Sequence, residues 1–177
     1  MARFAETPGP EMKIFREVMG MDLALMCWLS TAAYAIHVLE EFAFDWKNWA
    51  RNVLNLPVEW DMFYVTNSLV VVLGVVAAII ASRLPALALG FAALMLINAT
   101  FFHVLPFLVK RGRWSPGLVT ALVLFYPLGI ECYRVQSHLV GLSREEILES
   151  VLVGSLLMAT PIVFLKLKGK SYFKQTS

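Results

Sequence analysis

The sequence predicts an all-α protein, a polytopic bundle of transmembrane helices. Of its 177 residues, 59% are hydrophobic and only 16% are charged. Soluble domains carry roughly 25% charged residues, so a water-soluble core does not account for this composition. The apolar residues also form continuous runs that match the roughly 20 residues needed to cross a bilayer. The length corresponds to one integral membrane domain over residues 1–177.

About five apolar runs qualify as membrane helices by their length and their low charge. Local signals mark some of the ends. Pro116 suits the first turn of the fourth helix, and Ser143 with Glu146 forms a capping box that opens the fifth. Pro161 is expected to kink the fifth helix. The predicted helices cover residues 21–44, 61–81, 84–109, 116–136 and 147–167.

The connection between the first two predicted helices combines tryptophan with charged residues. It contains Trp46, Lys47, Trp49, Arg51 and Trp60. This mixture is typical of an interfacial helix or a re-entrant lid, and equally of an aromatic belt at the membrane surface. We therefore expect an interfacial segment after the first membrane helix.

The distribution of basic residues predicts the orientation of the chain. The first twenty residues lack a continuous apolar core and a cleavage site, so we expect a lead-in segment and not a signal peptide. Five helices place the termini on opposite sides, and lysine and arginine are more frequent on the side of the C-terminus. The positive-inside rule then places the C-terminus in the cytoplasm. The net charge of +2, without a basic stripe, argues against nucleic-acid binding and leaves the lipid bilayer as the expected partner.

The first membrane helix carries three ionisable residues within one turn, His37, Glu40 and Glu41. Each ionisable residue costs roughly 2.5–3.5 kcal/mol on insertion scales, and such residues mark functional sites by default. Spacings of three and four residues place both carboxylates beside the imidazole. Tyr34 lies on the same stripe and can supply a hydroxyl to the same site.

Polar residues of the other helices fall at a similar depth. His37 is expected about 10 Å inside the boundary formed by the first connection, given a rise of about 1.5 Å per residue. His103, Asn67 and Thr120 are expected near this depth on the third, second and fourth helices, and Asn98 about one turn deeper. The helices therefore bring their polar groups into one layer of one leaflet.

This layer contains the ligand types of a catalytic metal site. Two histidines and a carboxylate, with an open position for water, are a known zinc ligand set. We expect one divalent metal, zinc first and iron second, held by His37, His103 and either Glu40 or Glu41. The remaining glutamate then serves as general base on the bound water. A hydrolase-like reaction on a lipid or other amphipathic substrate follows, in a pocket beneath residues 46–60.

Three other interpretations stay open. A metal-free His/Glu pair can transfer protons in a carrier or channel subunit. The chain can be an assembly subunit of a larger membrane complex. The same polar residues can also only join helices, and this is the expected role of Asn67, Asn98 and Thr120 taken singly. The residues do not decide the substrate, the oligomeric state or whether Cys27 and Cys132 pair.

Three short motifs carry a family resemblance. They are His37-Val38-Leu39-Glu40-Glu41, the segment from Asn98 to His103, and Pro116-Gly117-Leu118-Val119-Thr120. In this order, over about residues 34–128, they resemble the membrane-protein family named for its HxxEE motif, a family of unknown function. The resemblance implies a membrane-embedded role, with metal dependence as an expectation and no settled activity.

The second motif departs from the family pattern. The family separates the asparagine and the histidine by four residues, whereas Asn98 and His103 are five apart. Five residues of an α-helix leave the two side chains about 140° apart. On this basis Asn98 is not expected to share a helix face with His103, and the expectation for His103 is unchanged.

Overall fold

Every secondary-structure element within the described part of the chain is helical. The structure is a computed structural model, which describes the backbone of residues 10–168 and the side-chain surroundings of residues 22–138 and most of those from 141 to 167. Residues 1–9 and 169–177 lie outside the described residues, and they include part of the predicted lead-in segment and some of the basic residues near the C-terminus.

The helices are numbered α1 to α7 here. Two of them combine α-helical and π-helical segments, and these are α4 and α5. The bounds are α1 Pro10–Ala43, α2 Trp46–Val53, α3 Trp60–Ile80, α4 Pro85–Val109, α5 composed of Leu118–Thr120, Ala121–Phe125 and Tyr126–Val140, α6 Arg144–Met158 and α7 Thr160–Lys168.

Among the described residues, four helices are long and apolar enough to cross a membrane. These spans are Asp22–Ala43, Trp60–Ile80, Pro85–Val109 and Leu118–His138. They match the first four predicted helices closely, and they are consistent with an integral membrane protein. Large apolar side chains on their outer faces, such as Ile79 and Val123, are exposed, as lipid contact requires.

The prediction of a fifth spanning helix is wrong for the described residues. The segment predicted at residues 147–167 forms two shorter helices, α6 and α7, which meet at Ala159. Pro161 has no N–H, and its ring collides with the carbonyl group four residues earlier in a continuous helix. The predicted kink is therefore a break between two helices. The predicted capping box at the start of α6 is present, with Ser143 Oγ accepting from the Glu146 N–H.

Helix α6 nevertheless packs closely along α4. At Gly154 an added Cβ would lie 2.7 Å from Ala93 Cβ and 2.7 Å from the Leu94 nitrogen. At Gly90, on the facing surface of α4, it would collide with Val153. Small residues allow helix backbones to approach in this way, which is the usual packing device in membranes.

Both α4 and α5 contain a π-helical turn, at Ala99–Val104 and Ala121–Phe125. The Leu105 N–H donates to the Thr100 carbonyl, and the Tyr126 N–H donates to the Ala121 carbonyl, which are steps of five residues. Single π turns inside α-helices are rare and frequent at functional sites. Here they lie on the two helices that complete the candidate site with α1.

The segment predicted to be interfacial contains α2. It follows α1 through Asp45, whose φ of 57° turns the chain sharply. Trp46 contacts Phe63 of α3 with ring centroids 5.9 Å apart, and the Lys47 ammonium lies 5.7 Å from the Trp60 ring. These contacts hold α2 against the start of α3.

Cys27 and Cys132 are free and buried where α1 meets α5. The Cys132 sulfur lies 3.7 Å from Ser30 Oγ, and Ser30 is about one turn along α1 from Cys27. The two cysteines belong to the same hydrophobic core cluster, where free cysteine behaves as a small apolar side chain.

Candidate functional site

Helix α1 contributes two buried polar side chains to one point of the bundle. His37 and Glu41 are one turn apart, and their residues are 0% and 4% exposed. His37 Nε2 lies 3.5 Å from Glu41 Oε1. Buried ionisable groups at this depth need partners, because the surroundings solvate charge poorly.

The partner across the bundle is His103, in the π turn of α4. Its residue is 0% exposed, and its Nε2 lies 3.5 Å from the same Glu41 Oε1. The two imidazole rings meet edge to face, with centroids 4.7 Å apart and an angle of 87° between their planes. One carboxylate oxygen therefore faces two imidazole nitrogens.

A hydroxyl group orients the His37 ring from its other side. His37 Nδ1 lies 2.7 Å from Thr120 Oγ1, and Thr120 Oγ1 lies 2.5 Å from Glu40 Oε2. A hydroxyl has one proton to donate, and the carboxylate is its strongest acceptor here. Thr120 then accepts from His37 Nδ1–H, which leaves a lone pair on Nε2 of the neutral ring.

The same arrangement holds His103. Its Nδ1 lies 3.0 Å from Ser115 Oγ, which lies 3.3 Å from the Pro116 carbonyl and 3.4 Å from that of Phe102. The Ser115 hydroxyl donates to a carbonyl and therefore accepts from His103 Nδ1–H. His103 Nε2 also carries a lone pair toward Glu41.

The result is a cluster of three converging potential ligand atoms. Among the described residues, neither His37 Nε2 nor His103 Nε2 has a hydrogen-bond partner, although both atoms are buried. His37, Glu41 and His103 form a group in which one potential ligand atom of each lies within 4.8 Å of the others, so the group can hold a metal ion. Nitrogen and carboxylate oxygen are the donor atoms that zinc and iron take in such sites.

Gly117 closes the cluster at the start of α5. Its φ of 91° is a conformation that residues with a side chain rarely adopt. A Cβ at this position would lie 2.6 Å from His103 Cε1 and 2.7 Å from His37 Cε1. Glycine is therefore required here both by the backbone and by the two rings packed against it.

Glu40, the other predicted ligand or base, lies outside the cluster. Its carboxylate accepts from the backbone N–H groups of Val119 and Thr120, at 3.2 Å and 2.8 Å, and from the Thr120 hydroxyl. The first N–H groups of a helix have no partner within the helix, and Glu40 supplies it for α5. Glu40 therefore fixes α1 to α5 and reaches His37 only through Thr120.

Tyr34 and Asn67 form a separate pair beside the cluster. The Tyr34 hydroxyl donates to Asn67 Oδ1 at 2.7 Å, and Asn67 Nδ2 donates to the Phe63 carbonyl at 3.0 Å. The Tyr34 ring stacks on Phe125 at 5.7 Å, and Phe125 lies 4.3 Å from the His37 ring, centroid to centroid. Both predicted residues are thus near the site, without a hydrogen bond to its histidines.

Asn98 lies on the inner face of α4 despite its five-residue distance from His103. The π turn between them stacks residues five apart, which an α-helix does not. Asn98 is 7% exposed, and its Oδ1 is buried without a hydrogen-bond partner.

A cavity of about 190 Å³ adjoins the cluster at Glu41. It lies beneath the segment from α2 to the start of α3, where the pocket is expected from the sequence. Its polar lining comes from Tyr34, Glu41, Asn67, Asn98, Thr66 and the indole of Trp46, and the remainder is apolar.

Ser115 and Gly117 complete the site, and neither is among the predicted site residues. Gly117 belongs to the third motif of the sequence, Pro116 to Thr120, so its positive φ could have been predicted from the sequence. Ser115 follows the basic turn after α4 and resembles an ordinary loop residue, so only the structure shows its contact with His103.

The comparison with protein families agrees with the motif pattern. The model of a family described as proteins of unknown function with an HXXEE motif matches residues 28–132, more than half of the chain. No curated protein and no solved structure matches the chain. The matched region includes His37, Glu41, His103 and Thr120, and the chain belongs to the HXXEE-motif family.

Proposed function

We propose that this protein is a membrane-embedded, metal-dependent enzyme of hydrolase type. His37, His103 and Glu41 hold one divalent cation, zinc first and iron second. The proposal depends on one observation, the two buried Nε2 atoms that face Glu41 Oε1 without a hydrogen-bond partner. A cation is the species that satisfies three converging lone pairs at once.

The donor set favours one metal. Di-iron carboxylate bundles use four glutamates with two histidines. Within the part of the chain that the structure describes, the cluster has one carboxylate, because Glu40 is engaged by α5. When bound, the ion would act as a Lewis acid on water or on a substrate carbonyl group.

The protein residues have distinct roles in this proposal. Thr120 and Ser115 orient the imidazoles so that each presents Nε2, as hydroxyl or carbonyl partners commonly do at metal sites. Glu41 faces both the cluster and the cavity, where its carboxylate can accept a proton from water. Glu40 is a positioning residue that acts through Thr120.

Metal content tests the proposal directly. The full chain is purified with an affinity tag that contains no histidine, and elemental analysis compares the wild type with His37→Ala, His103→Ala and Glu41→Ala. We expect about one metal per chain in the wild type and loss in each variant. His138→Ala is the matched control, because His138 is the third histidine and is exposed.

A wild-type protein that contains no metal, takes up none on addition of zinc or iron(II), and keeps its thermal stability in chelator would contradict the proposal. The orientation of the site, with the first connection in the cytoplasm, is a separate part of the proposal and stays a prediction from the basic residues. The prediction of a cytoplasmic C-terminus depends on five spans, and it does not follow from the four described ones.

The same donor set can instead hold a proton. Oε1 lies at an equal 3.5 Å from both Nε2 atoms, which suits a group that exchanges a proton between two imidazoles. This favours a proton-coupled carrier or channel subunit as the second candidate. The test is proton flux into vesicles that contain the metal-free protein. A flux that is present in the wild type and lost in Glu41→Gln would support the carrier or channel subunit over the metal-dependent enzyme.

A further inference from the structure

The cavity beside Glu41 contains two polar groups for which the described part of the chain supplies no hydrogen-bond partner. Asn98 Oδ1 is a buried acceptor without a donor, and Trp46 Nε1 is a buried donor without an acceptor. Both residues line the cavity. Tyr34 and Asn67 line it as well, but they satisfy one another and the Phe63 carbonyl. Buried polar groups without partners cost free energy, so their presence together points to a ligand.

The remaining lining is apolar and comes mainly from α3 and from the segment between α2 and α3. It includes Leu56, Val58 and Met62. A cavity of 150 Å³ binds benzene, so this cavity of about 190 Å³ takes roughly eight carbon atoms by proportion. A longer chain would extend out of it into the bilayer.

We propose that the cavity binds an amphipathic acyl amide, with its amide group beside Asn98 and Glu41 and about five carbons of its acyl chain in the apolar part, which together make up the roughly eight non-hydrogen atoms that the volume holds. An amide offers both an N–H and a carbonyl oxygen, which complement Asn98 Oδ1 and Trp46 Nε1. An ester offers acceptors only.

This inference rests on the proposed function, and it names the substrate class for that site. In hydrolysis the oxygen of water joins the acyl carbon, the C–N bond breaks and a proton passes to the amine nitrogen. The products are a fatty acid and an amine, and both can leave toward the membrane surface.

The experiment uses alkyl hydroxamates, whose head group binds a divalent metal and contains the N–H of an amide. Binding of the two-carbon and eight-carbon hydroxamates is measured by thermal unfolding of the metal-containing protein in nanodiscs. Val58→Phe fills the cavity, and Val65→Phe is the matched control, because Val65 is 53% exposed on the outer face of α3. Comparison between variants cancels the partitioning of the probe into lipid.

We expect Val58→Phe to weaken the eight-carbon probe by about tenfold, which is about 1.4 kcal/mol, and to leave the two-carbon probe unchanged. Val65→Phe should leave both unchanged. The N-methyl hydroxamate lacks the N–H that would donate to Asn98 Oδ1, so it should bind to the wild type more weakly than the parent hydroxamate does. In Asn98→Leu the acceptor is gone, so the two hydroxamates should bind equally well.

Metal content is measured on every sample, which separates the two proposals. A protein that contains no metal contradicts the proposed function. Two results in a metal-containing protein would overturn the amide assignment and leave the metal site in place. One is that Val58→Phe weakens binding of both probes equally. The other is that N-methylation of the probe has the same effect on binding to the wild type and to Asn98→Leu.

Discussion

At the scale of single residues, the site is defined by where four protons lie. Thr120 and Ser115 each accept a hydrogen bond from a histidine Nδ1–H. The Thr120 hydroxyl donates its own hydrogen bond to Glu40, and the Ser115 hydroxyl donates to a backbone carbonyl. Both imidazoles are thereby held as the tautomer that presents Nε2 to Glu41. Removal of either hydroxyl should therefore change the site without removing any of its ligands.

Thr120→Val removes the hydroxyl and keeps the shape of the side chain. We expect metal affinity to fall by about 10–100-fold, the usual effect of losing a partner of a ligating histidine. Competition with a chelator of known affinity measures it. Thr120→Ser keeps the hydroxyl and should retain most of the affinity, and equal losses in Val and Ser would contradict the role of the hydroxyl.

Gly117→Ala tests the contact between backbone and rings. Alanine at a φ of 91° should cost about 1–3 kcal/mol of stability, and its Cβ would displace both imidazoles. We therefore expect lower thermal stability together with loss of metal. Gly112→Ala provides the control, because its φ of 76° is similarly unfavourable while its Cβ would only touch Phe107 at 3.8 Å. Metal loss in Gly112→Ala as well would show that backbone strain alone is responsible.

At the scale of elements, Glu40 and Glu41 have different tasks although they are adjacent. Glu40 serves the start of α5, and Glu41 serves the cluster. The sequence predicts that both take part in the site, but it does not show which is which. The difference arises because α5 begins at Leu118, close enough to α1 for the free N–H groups of its first turn to reach Glu40.

Glu40→Ala should therefore weaken the helix start, by about 0.5–2 kcal/mol as for other lost helix caps. Metal binding should be weakened and still measurable, whereas Glu41→Ala should abolish it. Thermal unfolding and metal titration of the two variants separate these outcomes. Glu59→Ala removes an exposed partner of Arg51 and should have little effect on either. Complete metal loss in Glu40→Ala would place Glu40 among the ligands.

The sequence predicts the elements well where hydrophobic length decides them. The first four spans agree with the described helices, since roughly 20 apolar residues have few alternatives in a bilayer. It fails at the fifth, because apolar composition does not reveal that Pro161 ends one helix and that α6 is held to α4 by Gly90 and Gly154. The π turns were also beyond prediction, because they alter hydrogen bonding without a distinct composition.

At the scale of the whole molecule, four successive helices that are long and apolar enough to span a membrane would place the connections on alternating sides. The segments after α1 and α4 would then share one side, and those after α3 and α5 the other. The prediction of the cluster from helix depth follows from this alternation. His37 and His103 each lie near the end of a helix that runs toward the first side, so that two distant residues meet.

Cysteine labelling in intact cells tests this arrangement. In a chain with Cys27→Ala and Cys132→Ala, single cysteines are placed at Asn52, Arg113, Arg83 or Ser143, which are all exposed. We expect an impermeant reagent to label the last two from outside and to reach the first two only after permeabilisation. The reverse pattern would invert the orientation, and labelling of Asn52 and Arg113 from different sides would contradict the alternation.

The π turn of α4 has a consequence for insertions and deletions. It accommodates one residue more than an α-helix between Asn98 and His103, so the helix on either side keeps its register. Deletion of Phe101, which is 57% exposed, should convert the turn to α-helix and leave the metal site intact. Deletion of exposed Leu87, in the regular part of α4, should instead rotate one part of the helix by about 100° against the other and disrupt the core. Folding and metal content of the two deletions would show that the five-residue and four-residue spacings are two lengths of the same motif.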